Sequence, residues 1–106
     1  MEKVTLKLSN DEATALLRCM ENSILKADYL GTKNREKLLI LAAVKEVHKR
    51  LSTMVYEFKH KYTITLSIVQ SQGLWLAYYK GYMYSNNLYD KAVLSDNCDK
   101  IHQLTS

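Results

Sequence analysis

The residues of this chain best suited to catalysis or metal binding are three histidines and two cysteines. They are His48, His60, His102, Cys19 and Cys98. Nucleophilic catalysis needs an oriented base, and zinc sites use ligand pairs such as His-x-x-x-His or Cys-x-x-Cys. Neither ligand pair occurs in the sequence, and no histidine adjoins a cysteine. We therefore expect no enzyme activity, no metal and no cofactor, and we interpret the histidines as surface or boundary residues.

Three aspartates towards the C-terminal end form the next group that could do chemistry. Asp96 and Asp99 are three residues apart, which places them on one face of a helix, and Asp90 precedes them. Paired carboxylates can transfer protons or hold a cation. No phosphate-binding loop accompanies them, because Gly73 and Gly81 are isolated. The pattern favours a solvated helix face.

The cysteines and the apolar runs indicate where in the cell the protein is expected. Both cysteines fall on apolar helical stripes, where a free thiol behaves as a small hydrophobic group, so we expect a reducing, cytoplasmic setting. The segment Met1–Val4 is too polar to begin a signal peptide. The longest apolar run, Leu38–Val44, has seven residues, too few to cross a membrane. We expect no membrane association and find no small-molecule substrate.

Tyrosines are concentrated in one short segment. Five of the eight lie between Tyr78 and Tyr89, just after Trp75. Such rings combine a large contact area with a polar group and are enriched at protein interfaces. The segment predicts a surface for a protein partner or for self-association as a homodimer; the alternative is that the rings complete the edge of the core. The candidate interaction residues are Tyr78, Tyr82, Tyr84 and Tyr89.

Basic residues are also concentrated in one segment. Between Lys33 and Lys61, eight basic residues stand against three acidic ones, a net charge of +5, whereas the whole chain carries +4. This excess suits an acidic partner such as duplex DNA, and it is equally typical of a solvated helix surface.

Two segments alternate apolar and polar residues, as half-buried strands do. Lys3–Ser9 recurs as Lys61–Ser67, 58 residues later, and five of the fifteen residues in 3–17 are identical to those in 61–75. The second strand is predicted at Tyr62–Leu66. Alternate residues of each strand are predicted to face the core, and the others to face away from it.

Helical periodicity follows each strand. Ser9 and Glu12 fit a capping box, and the first helix is predicted to end near Gly31. A longer second helix is predicted to begin near Arg35. Its apolar seam consists of Ile40, Val44, Val47, Leu51, Met54 and Phe58.

Two further helices are predicted in the second half. Apolar and aromatic residues from Leu74 to Tyr82 indicate the third helix. The turn 85–87 then provides an N-cap for the fourth, whose apolar positions run from Leu88 to Leu104.

These elements are predicted to form one domain, residues 1–106. The domain is predicted to consist of two pseudo-repeats, 1–60 and 61–106. The fold class is α+β and helix-dominated, in the order βααβαα. A two-stranded antiparallel ribbon would lie over four helices. An all-α helical bundle is the alternative.

Four features of the first half follow one another in a characteristic order. They are the strand Thr5-Leu6-Lys7-Leu8-Ser9, the acidic helix start Asp11-Glu12, the turn Gly31-Thr32-Lys33-Asn34, and the helix start Arg35-Glu36-Lys37-Leu38. With them, Thr5 to about Leu51 resembles the ribbon-helix-helix family of DNA-binding proteins.

The resemblance implies that two antiparallel strands enter the DNA major groove and that the N-terminus of the second helix holds a backbone phosphate. In this chain the second strand would complete the ribbon internally. The implied nucleic-acid contacts are Thr5, Lys7, Lys33, Asn34, Thr63 and Thr65.

The sequence thus leaves two functions. The first is a small non-enzymatic interaction or adaptor module, suggested by the tyrosines. The alternative is a ribbon-helix-helix-like DNA-binding protein.

Overall fold

The computed structural model describes residues 3–24 and 34–105, with the elements in the order strand, helix, helix, strand, helix, helix. This confirms the helix-dominated α+β prediction and excludes the all-α alternative. The bounds are β1 Lys3–Ser9, α1 Asn10–Ile24, α2 Arg35–Val55, β2 Lys61–Ser67, α3 Ile68–Tyr79 and α4 Leu88–Thr105.

The two strands pair antiparallel along their whole length. Lys3 lies opposite Ser67, Leu6 opposite Ile64, and Ser9 opposite Lys61. Because side chains alternate across a strand, this register places all the apolar residues on one face of the ribbon. These inward residues are at most 3 % exposed: Val4, Leu6, Leu8, Tyr62, Ile64 and Leu66.

Each strand leads directly into a helix through the same capping motif. The Ser9 amide donates to Glu12 Oε1 at 2.8 Å, and the Glu12 amide donates to Ser9 Oγ at 3.2 Å. Ser67 and Gln70 form the same reciprocal pair, with both distances at 3.1 Å. A capping box satisfies two backbone amides that the first helical turn leaves unpaired. The two boxes therefore fix both strand-to-helix turns in one geometry.

The helices form a layer beneath the ribbon, where α1 and α3 each pack against α2 and α4. Gly73 allows α3 to approach α2 closely, because a Cβ atom at this position would lie only 2.3 Å from the Cβ of Ala43. The core joins the inner face of the ribbon to all four helices. One continuous core means that neither half of the chain buries its apolar residues alone.

Helix α2 ends earlier than the apolar seam predicts. Its last residue is Val55, and the Tyr56 amide donates to the Ser52 carbonyl as the cap. Phe58 lies beyond this end and is 67 % exposed, so its assignment to the seam is wrong. The chain must turn here to place Lys61 opposite Ser9, and this tertiary requirement overrides the local period.

Helix α3 also differs from the prediction: it begins at Ile68 and ends at Tyr79. Gly81 follows with a φ of 75°, a left-handed conformation that glycine adopts without strain. Tyr82 therefore lies outside the helix, and its amide donates to the Ala77 carbonyl at 2.8 Å.

Two of the apolar positions that indicated α4 lie on its surface. Leu88, in the first turn of the helix, is 81 % exposed, and Leu104, in the last turn, is 58 % exposed. The predicted end of the first helix near Gly31 falls in residues 25–33, outside the described residues.

Candidate nucleic-acid interface

The outer face of the ribbon is polar and basic. Lys3, Lys7 and Lys61 are exposed there, together with Thr5 and Thr63. Neither strand, 3–9 or 61–67, contains an acidic residue. The outer face therefore carries three positive charges with no negative charge between them. Its remaining positions, all half-buried, are Ser9, Thr65 and Ser67.

Cross-strand pairing sets which outward residues are neighbours. Thr5 lies opposite Thr65, and their hydroxyl oxygens are 3.2 Å apart, within hydrogen-bond distance. Lys7 lies opposite Thr63 in the next outward pair. The centre of the outer face thus combines one ammonium group with three hydroxyls. Such groups can hydrogen-bond to base edges or to phosphate oxygens.

Tyr62 fixes the end of the ribbon at which β2 begins. Its ring is buried beneath the strands, and its hydroxyl donates to the Glu57 carbonyl at 2.9 Å. The same hydroxyl accepts from the Lys59 amide at 2.8 Å and from Asn10 Nδ2 at 3.2 Å. One phenol therefore ties the segment before β2 to the start of α1. Lys59 is exposed here and adds a positive charge beside Lys61.

The structure brings together four of the predicted nucleic-acid contacts: Thr5, Lys7, Thr63 and Thr65 all lie on the outer face. Sequence reasoning did not single out Lys3 and Lys61, although the signal was present. They have the same parity as Thr5 and Thr63 in the strand alternation, and that periodicity alone assigns them to the same face.

The other two predicted contacts belong to the start of α2. Lys33 lies outside the described residues. Asn34 is exposed and caps the helix, its side chain accepting from the Lys37 amide at 3.1 Å. In the same turn the Glu36 carboxylate pairs with Lys80 Nζ at 2.7 Å. A carboxylate in the first turn offsets part of the positive end of the helix dipole.

The four candidate interaction tyrosines do not form one uniform surface. Tyr78 and Tyr82 are half-buried against the core, and the Tyr78 hydroxyl lies 3.3 Å from Ser95 Oγ. Tyr84 and Tyr89 are 44 % and 47 % exposed. Of these four candidates, two rings lie at the core edge and two face solvent, and the interaction surface stays a prediction.

Asp90 is not part of a solvated face, which corrects the reading of the three aspartates. It is 2 % exposed, and Arg18 donates to both of its carboxylate oxygens, at 2.9 and 2.7 Å. These hydrogen bonds, the Arg18 charge and a further hydrogen bond from Ser85 lower the pKa of Asp90, against the opposing effect of burial. Asp96 and Asp99 remain exposed. The buried carboxylate therefore joins α1 to α4 and has no free oxygen for proton transfer.

The three histidines lie at the surface or its boundary. His48 Nε2 is 3.3 Å from Glu21 Oε1, His60 is exposed, and the His102 ring stacks on Trp75 with 5.1 Å between centroids. Across the described part of the chain, histidine, cysteine, aspartate and glutamate side chains form no group of three or more that could hold a metal ion.

The cysteines are buried and free. Burial raises the pKa of Cys19 to about 11 and that of Cys98 to about 12. A thiol that stays protonated is a poor nucleophile and a poor metal ligand.

Within residues 3–24 and 34–105, none of the helices combines the length and the apolar character needed to span a membrane.

The outer face of the ribbon is the surface on which most of the predicted contact residues, polar and basic, lie together. Comparison with protein-family models, with curated proteins and with solved structures gives no match to this chain.

Proposed function

We propose that this protein binds double-stranded DNA by inserting the outer face of its ribbon into the major groove. The observation that carries the proposal is a two-stranded ribbon with one face wholly buried and the other bearing Lys3, Lys7 and Lys61 without an acidic residue. This outer face does not contribute to the core, and its positive charge is complementary to a polyanion such as DNA.

The dimensions and the chemistry of the ribbon support the proposal. Two paired strands are about 5 Å apart, and the major groove of B-DNA is about 12 Å wide and accepts a β-ribbon. A lysine can donate to guanine O6 and N7, and a threonine can contact a thymine methyl group or hydrogen-bond to a base. The inward residues pack the ribbon onto the helices, so the backbone that carries the outward residues is already ordered before DNA binds.

A second candidate function is protein binding through the surface between α2 and α3 or through the exposed tyrosines. Leu39 and Val69 border this surface and are 73 % and 69 % exposed, an apolar exposure typical of interaction sites. Tyr84 and Tyr89 add two exposed rings. An adaptor role is compatible with DNA binding. It becomes the leading proposal if no DNA binding is found.

A cytoplasmic location belongs to the same proposal. Cys19 and Cys98 are buried, unpaired thiols, a state that a reducing compartment maintains.

Fluorescence anisotropy with a labelled random-sequence duplex tests DNA binding. We expect affinity to fall steeply as the salt concentration rises, because lysines that neutralise phosphates displace bound counterions. Lys7→Ala should weaken binding. If the lysine contacts a base, the loss should be about 1–3 kcal/mol; if it contacts a phosphate, the slope of log affinity against log salt concentration should become smaller by about one. Lys61→Ala should act in the same direction.

Lys100→Ala is the matched control, because it removes an exposed lysine from α4, outside the ribbon. Its affinity should stay close to that of the unmodified protein. If the ribbon variants bind DNA as tightly as the control does, the outer face is not the DNA-binding surface.

A further inference from the structure

The register gives the ribbon an approximate twofold axis. Leu6 pairs with Ile64, which is also its counterpart 58 residues later in the repeated segment. Lys3 pairs with Ser67, and its counterpart Lys61 pairs with Ser9, the counterpart of Ser67. A twofold rotation that exchanges β1 and β2 therefore maps each cross-strand pair onto its counterpart. The axis passes between Leu6 and Ile64, the pair that maps onto itself.

The outward residues obey this symmetry at every position but one. Lys3 matches Lys61, Thr5 matches Thr63, and Ser9 matches Ser67. Lys7 has Thr65 as its counterpart, and this is the single mismatch. A ribbon built from two identical chains could not carry such a difference, whereas a ribbon within one chain can.

The mismatch lies near the centre of the outer face. Lys7 is directly opposite Thr63, and Thr65 is directly opposite Thr5 with its hydroxyl engaged at 3.2 Å. Lysine donates to the two acceptors of guanine, whereas threonine offers a methyl group and a hydroxyl and has no comparable preference for guanine. The two halves of the outer face therefore present unlike chemistry to the central base pairs.

We propose that the preferred DNA site is an imperfect palindrome whose halves differ at one inner base pair, with guanine selected only in the half that Lys7 contacts. This inference rests on the proposed DNA-binding function. It makes Lys7 and Thr65 the residues that set the asymmetry of the site, and it gives the protein one preferred orientation on DNA.

Selection of binding sites from a randomised duplex library tests the inference. The full-length protein is compared with Thr65→Lys and with Lys7→Thr, whose outer faces are both symmetric. We expect the unmodified protein to select imperfect palindromes. Thr65→Lys should select symmetric sites with guanine at the inner base pair of both halves, and Lys7→Thr should select symmetric sites without guanine at that base pair. Exchanging the inner guanine in one half should weaken binding of the unmodified protein by at least about fivefold.

The outcomes separate the two proposals. If none of the three proteins retains DNA, the proposed function fails and the inference fails with it. If DNA is retained but the unmodified protein selects symmetric sites, or if the selected sites do not change with the variants, the inference is overturned and DNA binding stands. Lys7 is exposed, so Lys7→Thr should fold normally; circular dichroism checks both variants.

Discussion

At the residue scale, one buried carboxylate shows how strongly tertiary contacts change the role of a side chain. Asp90 stands in the first turn of α4, where its amide donates to Asn87 Oδ1 at 3.2 Å. Its carboxylate accepts two hydrogen bonds from Arg18 and one from Ser85. A charged group at this depth is tolerated because each of its oxygens has a partner. The pair therefore fastens α4 and the turn before it to α1.

Removing this carboxylate should destabilise the fold. Asp90→Ala deletes both bonds from Arg18 and the one from Ser85, and we expect the free energy of unfolding to fall by about 2 kcal/mol, because hydrogen bonds to charged groups contribute about 1.5–3 kcal/mol. Urea unfolding measures the change. Asp96→Ala, on the exposed side of the same helix, is the control and should change stability little. Equal effects from the two substitutions would show that the ion pair does not stabilise α4.

The same carboxylate should contribute to the pH dependence of stability. The pKa of Asp90 is lowered in the folded protein, so the unfolded chain binds a proton at higher pH than the folded chain does. The stability contributed by Asp90 is therefore present above about pH 4, the ordinary aspartate pKa, and is lost as the pH falls through the lower folded value. Asp90→Asn should flatten this acid limb in urea titrations between about pH 2 and 5. An unchanged limb would contradict the assignment.

At the element scale, the close packing of α3 on α2 depends on a position without a side chain, Gly73. Gly73 lies against Ala43, and its counterpart in the repeat, Ala15, is also small and fully buried. The α2–α3 contact has no room for the extra methyl group, since a Cβ at Gly73 would lie 2.3 Å from the Ala43 Cβ. This glycine is needed for a close approach, although glycine is an unfavourable residue in a helix.

Gly73→Ala should therefore destabilise the protein by about 1–3 kcal/mol, the usual range for overpacking, despite the higher helix propensity of alanine. Combining it with Ala43→Gly removes the opposing methyl group. The double variant should be more stable than the sum of the two single effects by at least about 0.5 kcal/mol, as expected for residues in contact. Thermal unfolding of the four proteins measures this coupling energy. Additive effects would show that the two helices separate freely at this point.

At the scale of the whole molecule, the ribbon makes the two halves of the chain depend on each other. β1 and β2 belong to different halves, and each strand also packs against helices of the other half: β1 against α3 and α4, and β2 against α1 and α2. α1 also packs against α4, and α2 against α3, so helices from both halves share the core. Whether the halves arose by duplication stays a prediction, supported by the two matching capping boxes.

This interdependence predicts a single cooperative unfolding transition. Trp75, the only tryptophan, lies in α3 and reports locally by fluorescence, whereas circular dichroism reports on helices throughout the chain. We expect the two urea transitions to coincide, because a two-state domain loses all its structure at once. Fragments 1–60 and 61–106 should each be unfolded when prepared alone. Separate transitions, or a folded fragment, would show that the halves are independent.

The sequence by itself determined the elements whose causes are local. The alternation in residues 3–9 and 61–67 identifies both strands and their outward residues, because side-chain direction in a strand depends only on position parity. The Ser9–Glu12 pair similarly identifies the start of α1, since a capping box spans four consecutive residues.

Only the tertiary structure decided which distant groups meet. The sequence predicted that the two strands pair, but the register that sets Leu6 opposite Ile64, the ion pair of Asp90 with Arg18 and the fit of Gly73 against Ala43 each depend on residues far apart in the chain. No local pattern specifies such contacts, because they depend on how the whole chain closes around one core. The need to pair β2 with β1 also ends α2 at Val55 and leaves Phe58 in solvent, although the apolar spacing of the seam continues as far as Phe58.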